Sequence, residues 1–86
     1  MVVRERSYRG ISARAAIGYL ESVGGEHVEN RTVEGGDWAA ELSEDTVSIG
    51  PTIELTEVTV VFRSESEAEL EPVIEEFSQK AIRAGG

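Results

Sequence analysis

Eighty-six residues make one small domain and leave no room for a second. The formal net charge is −9, from 17 acids against 8 bases, which disfavours nucleic acid as a partner because a phosphate backbone calls for a basic face. The absence of Cys rules out disulfides, thiolate metal ligands and a cysteine nucleophile, and the longest uncharged stretch, Thr46–Ile53, is too short for a membrane span or a signal-peptide core.

Residues 2–9 (VVRERSYR) begin β-branched and are too short for a helix, so they read as a strand. Its faces are Val3, Glu5, Ser7 and Val2, Arg4, Arg6, Tyr8. Neither is convincingly apolar, which suits an edge strand or an open side of a sheet. Gly10 ends it, and Ser12 is placed to N-cap a helix running to about Val23. Ile11, Ala15, Ala16, Tyr19, Leu20 and Val23 form its apolar stripe, and Gly24-Gly25 supplies a left-handed stop. Gly18 within this helix costs about 1 kcal/mol relative to Ala. The expected reason for it is close approach by another backbone.

Residues 26–34 and 37–43 read as a hairpin about Gly35-Gly36, with Trp38, Ala40 and Leu42 on one face of the return strand. Glu44-Asp45 is expected to turn the chain into Thr46–Ile49, and Gly50-Pro51 interrupts again. From Thr52 to Arg63 the apolar residues change phase. Ile53 and Leu55 are odd-numbered, whereas Val58, Val60 and Phe62 are even, so a β-bulge or a fresh start is expected near Thr56-Glu57. Ser66 and Glu69 then form a capping box for a last helix, with Leu70, Val73, Ile74, Phe77, Ala81 and Ile82 as its stripe. Pro72 implies a kink there or a later start.

The expected fold is a single α+β domain over residues 1–86, in the order β-α-β(3–4)-α. Two helices pack on one face of a curved antiparallel sheet. The other face stays open, carrying Thr59, Val61 and the arginine face of the first strand. Such a face suits a homodimer or a ligand platform.

Fifteen of the acids are Glu, and Lys80 is the one lysine. Scarce lysine with abundant carboxylate suits concentrated salt, where screening over about 3 Å at 1 M removes self-repulsion. The reading is a cytoplasmic protein with a halophile-like acidic surface. Charge is also unevenly placed: Arg4, Arg6, Arg9 and Arg14 against Glu5 make the first fourteen residues +3 and the remainder −12.

The inventory for catalysis is thin. His27 is the one histidine, no nucleophile-elbow motif occurs, Lys80 beside Glu76 reads as a helical i, i+4 pair, and no spacing suggests a metal or a cofactor. The best placed cluster is an anion site at the helix start. Arg9, Gly10, Ser12 and Arg14 would surround its free N–H groups, with Arg4 and Arg6 extending the patch; capped helix and paired arginines are the plainer alternative. Trp38, with Tyr8 and Val61, is a candidate for an interface or for ligand stacking, against ordinary core packing. Gly85-Gly86 matches what a Gly-Gly sulfur carrier needs for acyl activation, or is a glycine helix stop.

The opening VRERSYRGISARAAIGYLESVGG and the segment LTEVTVVFRSESEAELEPVIEEF, in this element order, resemble the C-terminal domain of proteins related to the molybdopterin-synthase small subunit (MoaD-related). The resemblance spans nearly the whole chain. It implies a fold of the TATA-binding-protein-like or helix-grip kind and brings no established activity or functional residues. The expected role is therefore a non-catalytic accessory or protein-interaction module, linked to sulfur-carrier or molybdopterin metabolism. Small-anion binding at the helix start and a Gly-Gly carrier are the alternatives.

Overall fold

The computed structural model describes residues 1–85. Among these, the chain runs β1 (Val2–Arg9), α1 (Ala13–Ser22), β2 (Glu26–Glu29), β3 (Thr32–Glu34), β4 (Trp38–Ser48), β5 (Glu54–Ser64) and α2 (Glu67–Gly85). The strands form one antiparallel sheet in the order β1-β5-β4-β3-β2. It is the expected α+β order with four strands between the helices.

The register sorts side chains by parity in β1, β4 and β5. Arg4, Phe62, Ala40 and Val33 form one cross-strand row, and Arg6, Val60 and Leu42 the next. This even-numbered face holds the core: Val33, Ala40, Val58, Val60 and Phe62 are buried together with Leu20 of α1 and Leu70 and Phe77 of α2. Phe77 ties the layers. Its ring meets Tyr8 at 5.1 Å, Phe62 at 5.7 Å and Tyr19 at 6.4 Å between centroids, all edge-on, the favoured geometry for aromatic quadrupoles. Both helices therefore sit against the even face. Arg4 and Arg6 lie on that side too, at its margin, and not on the open face expected for them.

The ends of α1 match the sequence signals. The Ser12 side chain accepts from the Ala15 N–H at 3.1 Å. At the other end Gly24 has φ +101°, its N–H donates to Glu21 O and that of Gly25 to Leu20 O. This pair of bonds is a Schellman stop, which glycine makes at no steric cost.

Five expectations are corrected. The 26–34 segment is not one strand: it folds back at Asn30 (φ 44°) into β2 and β3, since Asn tolerates the left-handed region. Glu44-Asp45 is no turn, because β4 pairs with β5 along its whole length and the Glu44 side chain has a partner on α1. The bulge near Thr56-Glu57 is absent, the β4–β5 register being unbroken from Trp38↔Ser64 to Ser48↔Glu54; a register shift lies instead between His27 and Glu29. Nothing comes within 4 Å of a Cβ built on Gly18, so close backbone approach does not explain it. Of the two alternatives at Pro72, the later start is overturned: helix α2 starts at Glu67 and carries Pro72 inside it, where the lost N–H falls on an exposed residue.

Candidate functional site

Two regions present unusual groups. The first is an open cleft of about 810 Å³ beside the start of α1, bounded by Arg14 and Glu21 on the helix, by His27 and Glu44 on the strands and by Arg31 in the turn between β2 and β3. Glu44 shares the inner-face parity of Leu42, so its carboxylate is directed at the helix layer, where Oε2 accepts from the Ala13 N–H at 2.7 Å. With Ser12 on the Ala15 N–H, the first turn of α1 already holds a side-chain anion and a hydroxyl, as its dipole favours. Arg14 and Arg31 have no ion-pair partner among the described residues. The His27 Nε2–H donates to the Asn30 carbonyl, which leaves Nδ1 as the acceptor of the neutral ring.

The six residues of the proposed anion site are not gathered there. Strand alternation puts Arg9 on the odd face, where its Nε donates to Glu57 at 3.1 Å, while Arg4 and Arg6 fall on the even side. Arg4 pairs with Glu67 at 3.4 Å and Arg6 donates to the Glu5 carbonyl at 2.9 Å. Gly10, with φ 85°, turns the chain away and spends its own N–H on Thr56 O. Ser12 and Arg14 remain at the cleft. The residues sequence reasoning missed are Arg31 and Glu44. Parity could have found Glu44, since a carboxylate in phase with Trp38, Ala40 and Leu42 needs a donor on the apolar side.

Trp38, Tyr8 and Val61 do not share a surface. Trp38 is buried in the core, its ring lying over Gly25 and Gly35, where any Cβ would collide with it. Tyr8 is half-buried, its hydroxyl paired with Ser78 Oγ at 2.7 Å. Burial pushes its phenol above the ordinary 10.0, opposed by the Ser78 hydrogen bond and by Arg6. Val61 is on the opposite face.

That face is the second region. Among the described residues no helix covers the odd-numbered side, whose rows are Val3–Arg63–Ala39, Glu5–Val61–Glu41, Ser7–Thr59–Ser43 and Arg9–Glu57–Asp45. Ion pairs Arg63–Glu41 at 3.2 Å and Arg9–Glu57 flank a centre of valine and small hydroxyl residues, with Ser7 and Thr59 hydroxyls 3.1 Å apart. Exposed pairs of this kind contribute little to stability, and Val61 and Thr59 between them are half-buried.

Gly85 ends α2, and the Gly85-Gly86 reading extends to Gly86, which lies outside the described residues. Among the described residues, no cluster of three His, Asp or Glu is placed to hold a metal ion, and no helix is long and apolar enough to cross a membrane.

The arrangement defines a class: a small α+β domain with both helices on one side of a five-stranded antiparallel sheet and the other side bare. Within that class the chain belongs to the archaeal MoaD-like protein family, whose model matches residues 4–86. Among curated proteins none matches it.

Proposed function

We propose that this protein is a cytoplasmic, non-catalytic interaction module serving sulfur-carrier or molybdopterin metabolism, and that its uncovered sheet face is the surface that meets the partner. The observation that carries the reading is that face itself: a three-strand platform with a valine and hydroxyl centre and arginine–glutamate margins. Membership of the archaeal MoaD-like family supplies the metabolic setting, and a ubiquitin-like sulfur carrier is the partner it suggests. A carrier added to labelled protein in high salt is expected to shift the amide resonances of Ala39, Ser43, Thr59 and Val61, and Val61→Glu to abolish the shifts. No shift at about millimolar carrier, a weak but measurable range, or shifts confined to α1 and α2, overturns it.

A second reading rests on the cleft. Arg14 and Arg31 carry unspent charge beside a helix start that already accepts a carboxylate, a setting suited to a small phosphate or carboxylate ligand. A thermal-shift panel of such anions in high salt tests it. Stabilisation lost in both Arg14→Ala and Arg31→Ala supports it, and no stabilisation removes it. The Gly85-Gly86 carrier reading is tested by the intact mass of protein from its native host, where a thiocarboxylate would show.

A further inference from the structure

β5 bonds to a different neighbour on each side, and this fixes what β1, the last strand of the sheet, has left over. The Ile49 N–H donates to Ile53 O at 2.9 Å, which sets the odd residues of β5 against β4. The Gly10 N–H donates to Thr56 O at 2.8 Å, which sets the even ones against β1. In an antiparallel ladder this alternation runs along the strand, so Val2, Arg4, Arg6 and Tyr8 spend their backbone groups on β5. Val3, Glu5, Ser7 and Arg9 turn theirs away from the sheet, along its free edge.

A long, regular edge is a template for a further strand. The opposite edge, β2, has four residues and a register shift between His27 and Glu29, so it is too short and irregular to serve as one. β1 has eight residues in unbroken register and lacks both protections. Two of its outward carbonyls are nevertheless occupied. Arg4 Nη1 donates to Val3 O at 3.0 Å and Arg6 Nη1 to Glu5 O at 2.9 Å. Arg4 Nη2 also donates to Glu67 Oε1, at the start of α2, at 3.4 Å, so its head group is held between the edge and the helix layer.

We infer that Arg4 and Arg6 guard this edge. Their guanidinium groups occupy the acceptors that the N–H groups of an incoming strand would need, so no further strand adds to β1. The capped carbonyls, at positions 3 and 5, are successive outward ones. Consecutive rungs are therefore closed, and Ser7 and Arg9 are too few to hold a strand. Net charge does not do this work in strong salt. At about 1 M the screening length falls to about 3 Å, so a net −9 no longer keeps copies apart, whereas a hydrogen bond made on the carbonyl itself stays in place.

The test is the paired substitution Arg4→Thr with Arg6→Thr, which keeps strand propensity and removes both caps. It is followed in roughly 2 M KCl from about 10 µM to about 1 mM protein. Its mass by light scattering should rise to at least twice the 9.3 kDa of the monomer. The amides of Val3, Glu5, Ser7 and Arg9 should gain protection from hydrogen exchange as it rises, and in the wild type they should gain none. Arg14→Thr with Arg31→Thr, the same change in charge away from the edge, should behave as the wild type. If far-ultraviolet dichroism shows the paired variant unfolded, Arg6→Thr, which leaves the Arg4–Glu67 pair in place, should show weaker protection at the same amides. A folded variant that gains no protection there, a wild type that gains it, or a control pair that gains it equally overturns the inference.

Discussion

Gly18 and Tyr8 show how much single side chains decide here. A Cβ at Gly18 meets nothing within 4 Å, and the residue lies inside α1, so Gly18→Ala should gain the helix-propensity difference of about 1 kcal/mol. In a domain of this size that raises Tm by about 4–8 °C, measurable by calorimetry. Because Gly18 borders the cleft, loss of anion binding in the same variant would place the glycine's value in the site. Tyr8 gives a signed pH dependence. Its phenol is held above the ordinary 10.0 by burial, so the unfolded chain ionises first as pH rises. The stability this group contributes is complete below pH 10 and is lost as pH climbs from 10 through the folded value. Denaturant melts of wild type and Tyr8→Phe across that range should converge at the alkaline end.

At the scale of elements, the start of α1 depends on a strand. Ser12 and Glu44 each satisfy one N–H of its first turn, and Ala13 is buried, so water cannot readily replace the carboxylate. Glu44→Ala should cost about 1–3 kcal/mol in a urea melt, more than the about 1 kcal/mol expected of Ser12→Ala; equal costs would mean that the Glu44 bond adds nothing. The helices, the caps of α1 and the even-numbered core of β5 were legible because each rests on a local signal: Ser12, Gly24 and the alternation of Val58, Val60 and Phe62. The continuity of β4 was not, because Glu44-Asp45 mimics a turn and its real partner is thirty-one residues away on α1. The phase change at Leu55 was also visible, but a bulge and an inverted face give the same pattern in one strand, and only the pairing with β4 tells them apart. The arginines of the anion cluster are dispersed for a related reason: adjacency in sequence does not survive strand alternation, which parts Arg9 from Arg4 and Arg6.

For the molecule as a whole, charge and layering act together. Among the described residues three ion pairs, each with at least one well-exposed partner, do little to offset a net −9, so self-repulsion opposes the compact state in dilute buffer. Raising KCl from about 0.1 to about 2 M shortens screening from about 10 Å to below 3 Å and should raise Tm; an unchanged or lower Tm would show that the surface is not tuned to salt.

Everything proposed about partners depends on both helices occupying one side of the sheet, and the natural lack of cysteine makes that directly measurable. Single cysteines placed along β5 at positions 58 to 63 can be timed against a thiol reagent under native conditions. Thr59→Cys, Val61→Cys and Arg63→Cys, half-buried positions, should react directly from the folded state, while Val58→Cys, Val60→Cys and Phe62→Cys should react only through opening of the fold. Equal protection at odd and even positions, or protection at the odd ones alone, would contradict the account.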